Sequence, residues 1–268
     1  LRENFPQAKI TVMVGPRPKE IFENNPNIER LIIYDKHSKL KEKIRLFNEL
    51  KRENFDIVVD LRNSFFGAFL PAKYRTSPFQ SIPKNIRHMR QRHLYRVQSS
   101  KFLPVRQAGK VQSSKRDSLY IKPEDEEYIE NILKENNITE RDRIVVISAG
   151  ARSHIKRWAK EKFAELISSL IKEFAVKVIL VGDKDDIASN KYIAEHSQNQ
   201  LLDLTDKTAI GQLAYLLKKA RLLITNDSAV LHLGSYLNIP MVAIFGPTNE
   251  EKYGPWSEIS CVVKKDIF

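Results

Sequence analysis

The chain has 268 residues, of which 42% are hydrophobic and 29% are charged, and its formal net charge is +12. This length and composition can supply apolar cores for two domains, and no apolar run approaches the roughly 20 residues that a membrane-spanning helix needs. The single cysteine, Cys261, excludes an internal disulfide and a zinc site built from cysteines, which is typical of a reducing cytoplasm.

The first half of the chain is predicted to alternate strands and helices. Its predicted elements are strands over 9–15, 30–35 and 55–61, and a helix with an apolar face formed by Leu40, Ile44, Phe47 and Leu50. Strands that alternate with helices indicate a parallel sheet with right-handed crossovers. Residues 73–116 interrupt this alternation with prolines and scattered basic residues, and we expect a mobile loop there.

The positive charge is concentrated in one stretch of this first half, residues 61–116, which we call the basic segment. It contains thirteen Lys or Arg and no Asp or Glu, whereas the remainder of the chain has 32 basic and 33 acidic residues. Such a local excess favours an anionic partner: nucleic acid, an anionic membrane surface or a phosphorylated substrate. The alternative is a solvated loop that binds nothing.

The second half alternates more regularly. Five apolar runs predict strands: RIVVIS (143–148), KVILVG (177–182), QLLDLT (200–205), RLLIT (221–225) and MVAIF (241–245). Five strands with helical crossovers predict a Rossmann-like domain. An acidic helix over 123–136 is expected to join the two halves, so we place domains at 1–120 and 121–268.

Three polar loops follow strands of the second half, at 149–158, 183–186 and 226–228. In a parallel sheet these loops share the edge where ligands bind. In the third loop, Asp227 or Ser228 can cap the next helix, whose first-turn amides and dipole form a phosphate site. The first loop contributes the cations Arg152, Lys156 and Arg157, which could neutralise a diphosphate. His232 lies one helical turn beyond Ser228, and its alternative interpretation is a half-buried helix histidine without a role in binding.

The acidic sequence DKDD at 183–186 has two interpretations. Its carboxylates could bind a metal, as in some nucleotide-sugar enzymes, or they could cap the helix that follows. We favour the cap. The HExxH, Walker A, GxGxxG and GxSxG signatures do not occur, so common protease, NTPase, dehydrogenase and hydrolase patterns are absent.

Two stretches of the second half resemble the donor domain of the ADP-heptose:lipopolysaccharide heptosyltransferases, glycosyltransferase family 9. They are SAGARSHIKRWAKEKFAELISSL and DLTDKTAIGQLAYLLKKARLLITNDSAVLHLGSYLNIPMVAIFGPTNEEKYGPW. The combination of ND-S-x-x-x-H with FGPT and GPW carries the resemblance, which is close over 144–256 and looser over 1–75. It implies an α/β fold of the GT-B type, in which two Rossmann-like domains with parallel sheets face a cleft, with 1–120 as the acceptor side and 121–268 as the donor side.

The resemblance implies a glycosyltransferase that transfers heptose from ADP-L-glycero-D-manno-heptose to the lipopolysaccharide inner core, with inversion and without a metal or other cofactor. The implied partners are the ADP-heptose donor and the anionic lipopolysaccharide core acceptor, without nucleic acid. The implied location is cytoplasmic, peripheral at the inner face of the inner membrane. There the basic segment would contact an anionic surface, where each Lys or Arg contributes about 1 kcal/mol.

The resemblance also assigns roles to individual residues. Lys156 would neutralise the phosphates of the departing ADP, Asp227 would bind sugar hydroxyls, and His232 would support their loop. The other implied substrate contacts are the amides of Ser228, Ala229 and Val230 at the diphosphate, Thr208 at the adenine, Asp183 or Lys184 near the ribose, and Arg62 and Asn63 on the acceptor side.

The sequence departs from the family pattern at both ends. The family starts with a strand and a Gly-Asp loop whose aspartate is the proposed base, and we expect these to lie upstream of Leu1. The chain also stops before the family's final helical segment, so these residues alone are expected to transfer poorly. The alternatives are another GT-B nucleotide-sugar transferase of surface glycan synthesis and a non-catalytic polyanion-binding protein.

Overall fold

The computed structural model describes residues 2, 4–16, 18–62, 64–77, 79–100, 119–197 and 201–264. The chain divides into two compact units, Leu1–Ser118 and Leu119–Phe268, and both contain parallel strands connected by helices. Within the described ranges, no helix is long and apolar enough to cross a membrane.

The first unit alternates short strands and helices. In chain order these are β1 (Thr11–Val14), α1 (Lys19–Phe22), β2 (Arg30–Ile33), α2 (Leu40–Lys51), β3 (Phe55–Val58), α3 (Phe65–Phe69), β4 (Ala72–Arg75) and α4 (Met89–Gln98). Strands β1 and β2 form one parallel pair, and β3 and β4 form another. A buried cluster of Ile32, Leu50, Phe66 and Leu70 packs between these elements. The three predicted strands and the predicted helix are confirmed.

The loop expected over 73–116 is wrong for two parts of that stretch. Strand β4 pairs with β3, and residues 89–98 form helix α4. The helix MRQRHLYRVQ forms because arginine has a high helix propensity and because His88 Nδ1 accepts a hydrogen bond from the amide of Arg90 at 3.2 Å. The sequence did not predict this helix because its charged residues interrupt the apolar periodicity on which the prediction rests. Residues 101–116 lie outside the described residues.

The second unit is a doubly wound α/β domain. Its elements are α5 (Pro123–Glu135), β5 (Ile144–Ser148), a 3₁₀ turn (His154–Lys156), α6 (Lys160–Phe174), β6 (Lys177–Val181), a second 3₁₀ turn (Lys184–Asp186), α7 (Ile187–His196), β7 (Leu202–Asp203), α8 (Ile210–Lys219), β8 (Leu222–Asn226), α9 (Ala229–Leu237), β9 (Met241–Phe245), α10 (Glu250–Tyr253) and β10 (Ser260–Lys264). The six strands are parallel and lie in the order β10-β9-β8-β5-β6-β7.

All five strands predicted for this unit are confirmed, and a sixth was missed. Strand β10 pairs with β9 at the edge of the sheet, and four of its five residues are exposed. A strand that is mostly exposed need not be apolar throughout, so the hydrophobic pattern that would predict it from the sequence is weak. The acidic helix α5, expected as a joint, instead belongs to the second unit, because Ile129 and Leu133 are buried in its core.

The sheet of the second unit is covered on both faces. Successive residues of β5 point to opposite sides, so Val146 packs with α5, α8 and α9, whereas Val145 and Ile147 pack with α6 and α7. Because both faces are buried, all five residues of β5 are apolar or fully enclosed. Because helices cover both faces of the sheet, a ligand can approach the strands at their carboxyl ends, which we call the carboxyl edge.

Candidate functional site at the carboxyl edge of the second sheet

The centre of the site is the junction of β5 and β8. These two strands are neighbours in the sheet, and their registered pairs end at Ser148 and Thr225. From β5 the chain proceeds through β6 and β7 on one side, and from β8 it proceeds through β9 and β10 on the other. In a doubly wound sheet, ligands bind outside such a reversal point, because the two loops there diverge and leave a crevice.

An ion pair links the two diverging loops. Asp227 directly follows β8, and its carboxylate Oδ2 accepts a hydrogen bond of 2.7 Å from Lys156 Nζ at the end of the first 3₁₀ turn. The Asp227 side chain is 4% exposed and that of Lys156 is 29% exposed. The ammonium group thus neutralises a buried carboxylate and still reaches solvent, so it can also contact an anionic ligand.

Asn226, the last residue of β8, connects the same two loops by hydrogen bonds. Its Nδ2 donates to the carbonyl of Ala149 at 2.7 Å, and its Oδ1 accepts from the amide of Trp158 at 3.2 Å. The Trp158 ring packs edge-on against Phe163 of α6, with ring centroids 5.0 Å apart. Both ends of the loop that carries Lys156 are therefore anchored. Sequence reasoning did not assign a role to Asn226, although a buried strand that ends in asparagine was a usable signal.

The start of α9 presents its first-turn amides beside this pair. Ser228 is the N-cap residue, but its side chain makes no capping hydrogen bond, and its Oγ lies 3.2 Å from Thr225 Oγ1. The first amides of a helix have no acceptor within the helix, and the dipole adds partial positive charge there. With Ala229 exposed and Val230 half-buried, the helix start is chemically suited to a phosphate group.

The loop after β6 carries the DKDD sequence, and the cap lies on the second 3₁₀ turn, which leads directly into α7, rather than on α7 itself. Asp183 Oδ1 accepts a hydrogen bond from the amide of Asp185 at 2.9 Å, and Asp186 Oδ2 accepts from the amide of Asp183 at 3.2 Å, forming a capping box. Asp183 and Lys184 are exposed, whereas Asp186 is buried. In the part of the chain that the structure describes, no group of three His, Cys, Asp or Glu residues is placed to hold a metal ion.

The remaining predicted residues of the second unit lie around the same edge. Thr208 is half-buried, two residues before α8 begins. His232 lies on α9 one turn beyond Ser228 and is exposed, so the interpretation of a half-buried helix histidine is wrong. The edge therefore brings together these predicted residues: Lys156, Asp183, Lys184, Thr208, Asp227, Ser228, Ala229, Val230 and His232.

Arg62 lies in the first unit, and Asn63 lies outside the described residues. Arg62 is exposed and its amide donates to Asp60 Oδ1 at 2.8 Å. The guanidinium of Arg96, on α4, donates to the carbonyl of Leu61 at 3.3 Å, so this basic helix packs next to Arg62.

Sequence reasoning missed His93, which lies on α4 near Arg62. Burial, and then repulsion from Arg96, Arg92 and Arg62, lower the pKa of His93 below its ordinary value, so the imidazole is neutral near pH 7. Its Nδ1 is buried and has no hydrogen-bond partner among the residues that the structure describes.

Comparisons with known proteins agree with the fold. Residues 43–267 match the family described as glycosyltransferase family 9 (heptosyltransferase). Lipopolysaccharide heptosyltransferase 3 of Escherichia coli is 27% identical over 277 residues, which cover 96% of this chain and 80% of the relative.

Two solved structures resemble the chain over nearly its whole length. The crystal structure of the glycosyl transferase family 9 from Veillonella parvula DSM 2008 aligns with a TM-score of 0.80 and 25% identity, covering 100% of this chain and 81% of that one. E. coli heptosyltransferase WaaC with ADP aligns with a TM-score of 0.72 and 18% identity, covering 99% and 86%. The α/β fold with parallel sheets is thus that of GT-B heptosyltransferases, and the chain belongs to glycosyltransferase family 9 and is a glycosyltransferase.

Proposed function

We propose that this glycosyltransferase transfers heptose from ADP-heptose to the lipopolysaccharide core, with inversion and without a metal. The observation that carries the proposal is the pairing of Lys156 with Asp227 beside the start of α9. The lysine cation and the first amides of α9 can bind a diphosphate there, and the carboxylate can accept hydrogen bonds from a sugar. The family membership and the relative that is named a lipopolysaccharide heptosyltransferase support this assignment.

On the donor side, the diphosphate binds the amides of Ser228, Ala229 and Val230 and the ammonium of Lys156. Asp227 accepts hydrogen bonds from the sugar hydroxyls in addition to the one that its Oδ2 accepts from Lys156. Thr208 lies against the adenine, Asp183 or Lys184 lies near the ribose, and His232 supports the helix start. A heptosyltransferase structure solved with ADP supports adenine as the base of the donor.

The chemistry follows from the charge that develops on the leaving group. The acceptor hydroxyl gives its proton to a general base and attacks the anomeric carbon, while the bond to the diphosphate breaks on the opposite face and a negative charge grows on the ADP oxygen. In this proposal the Lys156 ammonium and the helix-terminal amides contact the departing phosphate oxygen, and they stabilise the transition state more than the ground state because the charge grows there. In this scheme the lysine charge and the partial positive charge of the helix start take the place of a divalent ion.

On the acceptor side, we assign residues 1–120 to acceptor binding and residues 121–268 to donor binding, each as a Rossmann-like domain. Arg62 and Asn63 contact the acceptor, and the basic segment contacts its phosphates and an anionic membrane surface. The excess of thirteen basic residues over no acidic ones in this segment supports a polyanionic acceptor. The proposed location is cytoplasmic, peripheral at the inner face of the inner membrane.

Calorimetric titration with ADP and UDP, each with and without Mg²⁺, tests the donor assignment. We expect ADP to bind more tightly than UDP and to bind equally with EDTA. Lys156→Ala and Asp227→Ala should weaken ADP binding, whereas Lys162→Ala, which removes an exposed lysine paired with Glu165, should leave it unchanged. A preference for UDP, or a requirement for Mg²⁺, would overturn the proposal.

A transfer assay tests the reaction itself. ADP-heptose and a heptose-deficient lipopolysaccharide core are incubated with an excess of the chain for long enough to detect slow transfer, and the product is identified by mass spectrometry. The anomeric configuration of the new bond, read by NMR, distinguishes inversion from retention. Retention of configuration would contradict the proposed single displacement.

A further inference from the structure

A second buried carboxylate lies beside the proposed donor site and has no role in it so far. Asp186 is 7% exposed and ends the 3₁₀ turn after β6. Its side chain fills a notch between two glycines: a Cβ on Gly150 would overlap the carboxylate, and one on Gly182 would lie 2.9 Å from Asp186 Cβ. The loops after β5 and β6 therefore approach closely enough here to require glycine on both sides.

Asp186 reaches the loop that carries Lys156 through an arginine. Its Oδ1 lies 3.5 Å from Arg157 Nη2, and Arg157 Nε donates to the carbonyl of Ala151 at 2.7 Å. Arg157 is thus held at the beginning of its own loop and at the neighbouring loop. Since Lys156 is the preceding residue, these two contacts fix the backbone from which the ammonium extends toward Asp227.

Burial makes this carboxylate energetically unfavourable. The pKa of Asp186 is raised, first by burial and then by the nearby charges of Asp183 and Asp185, while the Asp183 amide and Arg157 oppose the shift. A buried carboxylate whose ionised form is disfavoured by burial, and that is kept in contact with a candidate binding loop, indicates a role in function.

We propose that Asp186 is a positioning residue that acts through Arg157 to hold Lys156 at the donor diphosphate. The diphosphate ligand rests on the proposed function, whereas the positioning of Lys156 rests on the contacts alone. The acidic sequence after β6 then has two roles: Asp183 caps the turn, and Asp186 connects the turn to the phosphate-binding loop.

Asp186→Asn tests the proposal, since it keeps the shape and removes the charge. We expect the affinity for ADP to fall about tenfold, the scale of one hydrogen bond to a charged group. Adenosine, which lacks the phosphates, should bind the variant as it binds the parent chain. The melting temperature should stay the same or rise, because the cost of burying the charge is removed. Asp185→Asn, at the exposed neighbouring position, is the matched control and should leave both the ADP and the adenosine affinity unchanged.

Arg157→Lys gives a second variant that keeps the charge and loses the two-ended contact. It should weaken ADP binding as Asp186→Asn does, and the double variant should lose little more, because both act through one contact. Unchanged ADP affinity in a folded Asp186→Asn variant would overturn the proposal. A parallel loss of adenosine affinity would also overturn it, since Asp186 would then act on the nucleoside.

A measurement without ligand separates this proposal from the proposed function. The rate of reductive methylation of Lys156, followed by mass spectrometry, reports how firmly the ammonium is held on Asp227. We expect faster methylation in Asp186→Asn and Arg157→Lys and an unchanged rate in Asp185→Asn. If the parent chain does not bind ADP, the proposed function fails, and this rate still decides the positioning role: equal rates in all variants refute it.

Discussion

Lys156 and Asp227 stand 71 positions apart in the chain, yet the lysine ammonium donates a 2.7 Å hydrogen bond to the aspartate carboxylate. The contact exists because β5 and β8 are neighbours at the point where the strand order reverses. The carboxylate is almost fully enclosed, whereas the ammonium remains partly exposed. The pair therefore neutralises a buried carboxylate and holds a cation where a ligand can approach.

Removing either partner should affect stability unequally. Lys156→Met leaves the buried carboxylate unpaired and should reduce the free energy of unfolding by about 2–3 kcal/mol, near the lower limit for buried pairs because Lys156 is partly exposed. Asp227→Asn should cost less, since the lysine can turn to solvent. Urea unfolding of both variants measures these losses.

The double variant Lys156→Met, Asp227→Asn provides the control for this pair. It should be more stable than the sum of the single losses predicts, because no charge is left buried alone. Strictly additive losses would show that the pair contributes no coupling energy.

Asn226 should be needed to keep the two loops together. Asn226→Ala leaves the Ala149 carbonyl and the Trp158 amide without their partner, which should cost about 1–3 kcal/mol and weaken ADP binding. Asn136→Ala removes an exposed asparagine whose side chain donates to the Ile132 carbonyl of its own helix, and it should change stability by less than about 0.5 kcal/mol. Equal effects of the two substitutions would contradict the anchoring role.

Gly150 should not tolerate a methyl group. In Gly150→Ala the new Cβ meets the Asp186 carboxylate, so the two loops must separate, and we expect a loss of about 1–3 kcal/mol in unfolding free energy. Gly15→Ala is the matched control, because no atom of the described residues lies within 4 Å of the Cβ that it adds. Thermal unfolding compares the two, and a tolerated Gly150→Ala would mean that the notch is not tightly packed.

His93 should titrate below its ordinary pKa of about 6.5. Burial and the charges of Arg96, Arg92 and Arg62 disfavour its protonated form, so the folded-state pKa lies below the unfolded value. The stability linked to His93 is then present above the unfolded pKa and is lost as the pH falls through the folded pKa. NMR titration of the imidazole measures the folded pKa directly.

Substitutions on α4 separate the causes of that shift. Arg96→Gln should raise the pKa of His93, and Arg90→Gln, on the same helix but not among the charges that lower it, should leave the pKa unchanged. His93→Gln should remove part of the loss of stability on acidification. A His93 pKa at or above the ordinary value would contradict the buried and electropositive setting.

The sequence by itself determined the elements of the second unit and the residue types at its carboxyl edge. Apolar runs marked five of its six strands, because a strand covered on both faces must be apolar throughout, and polar residues mark where such a strand ends. The same local logic favoured a cap for the DKDD sequence, where Asp183 caps the 3₁₀ turn, because capping depends on residues only three positions apart. It failed for α4, where charged helix formers replace the apolar periodicity, and for the exposed edge strand β10.

Only the tertiary structure decided which of these groups meet. The contacts of Lys156 with Asp227, and of Arg157 with Asp186, depend on which strands are neighbours, and strand order is not encoded in any local pattern. Burial likewise depends on packing: Asp186 and His93 are ordinary polar residues in the sequence, and their pKa values shift because distant segments exclude water from them. Local periodicity specifies the elements, whereas long-range packing brings the charged groups into contact and shifts their pKa values, and the proposed binding depends on both.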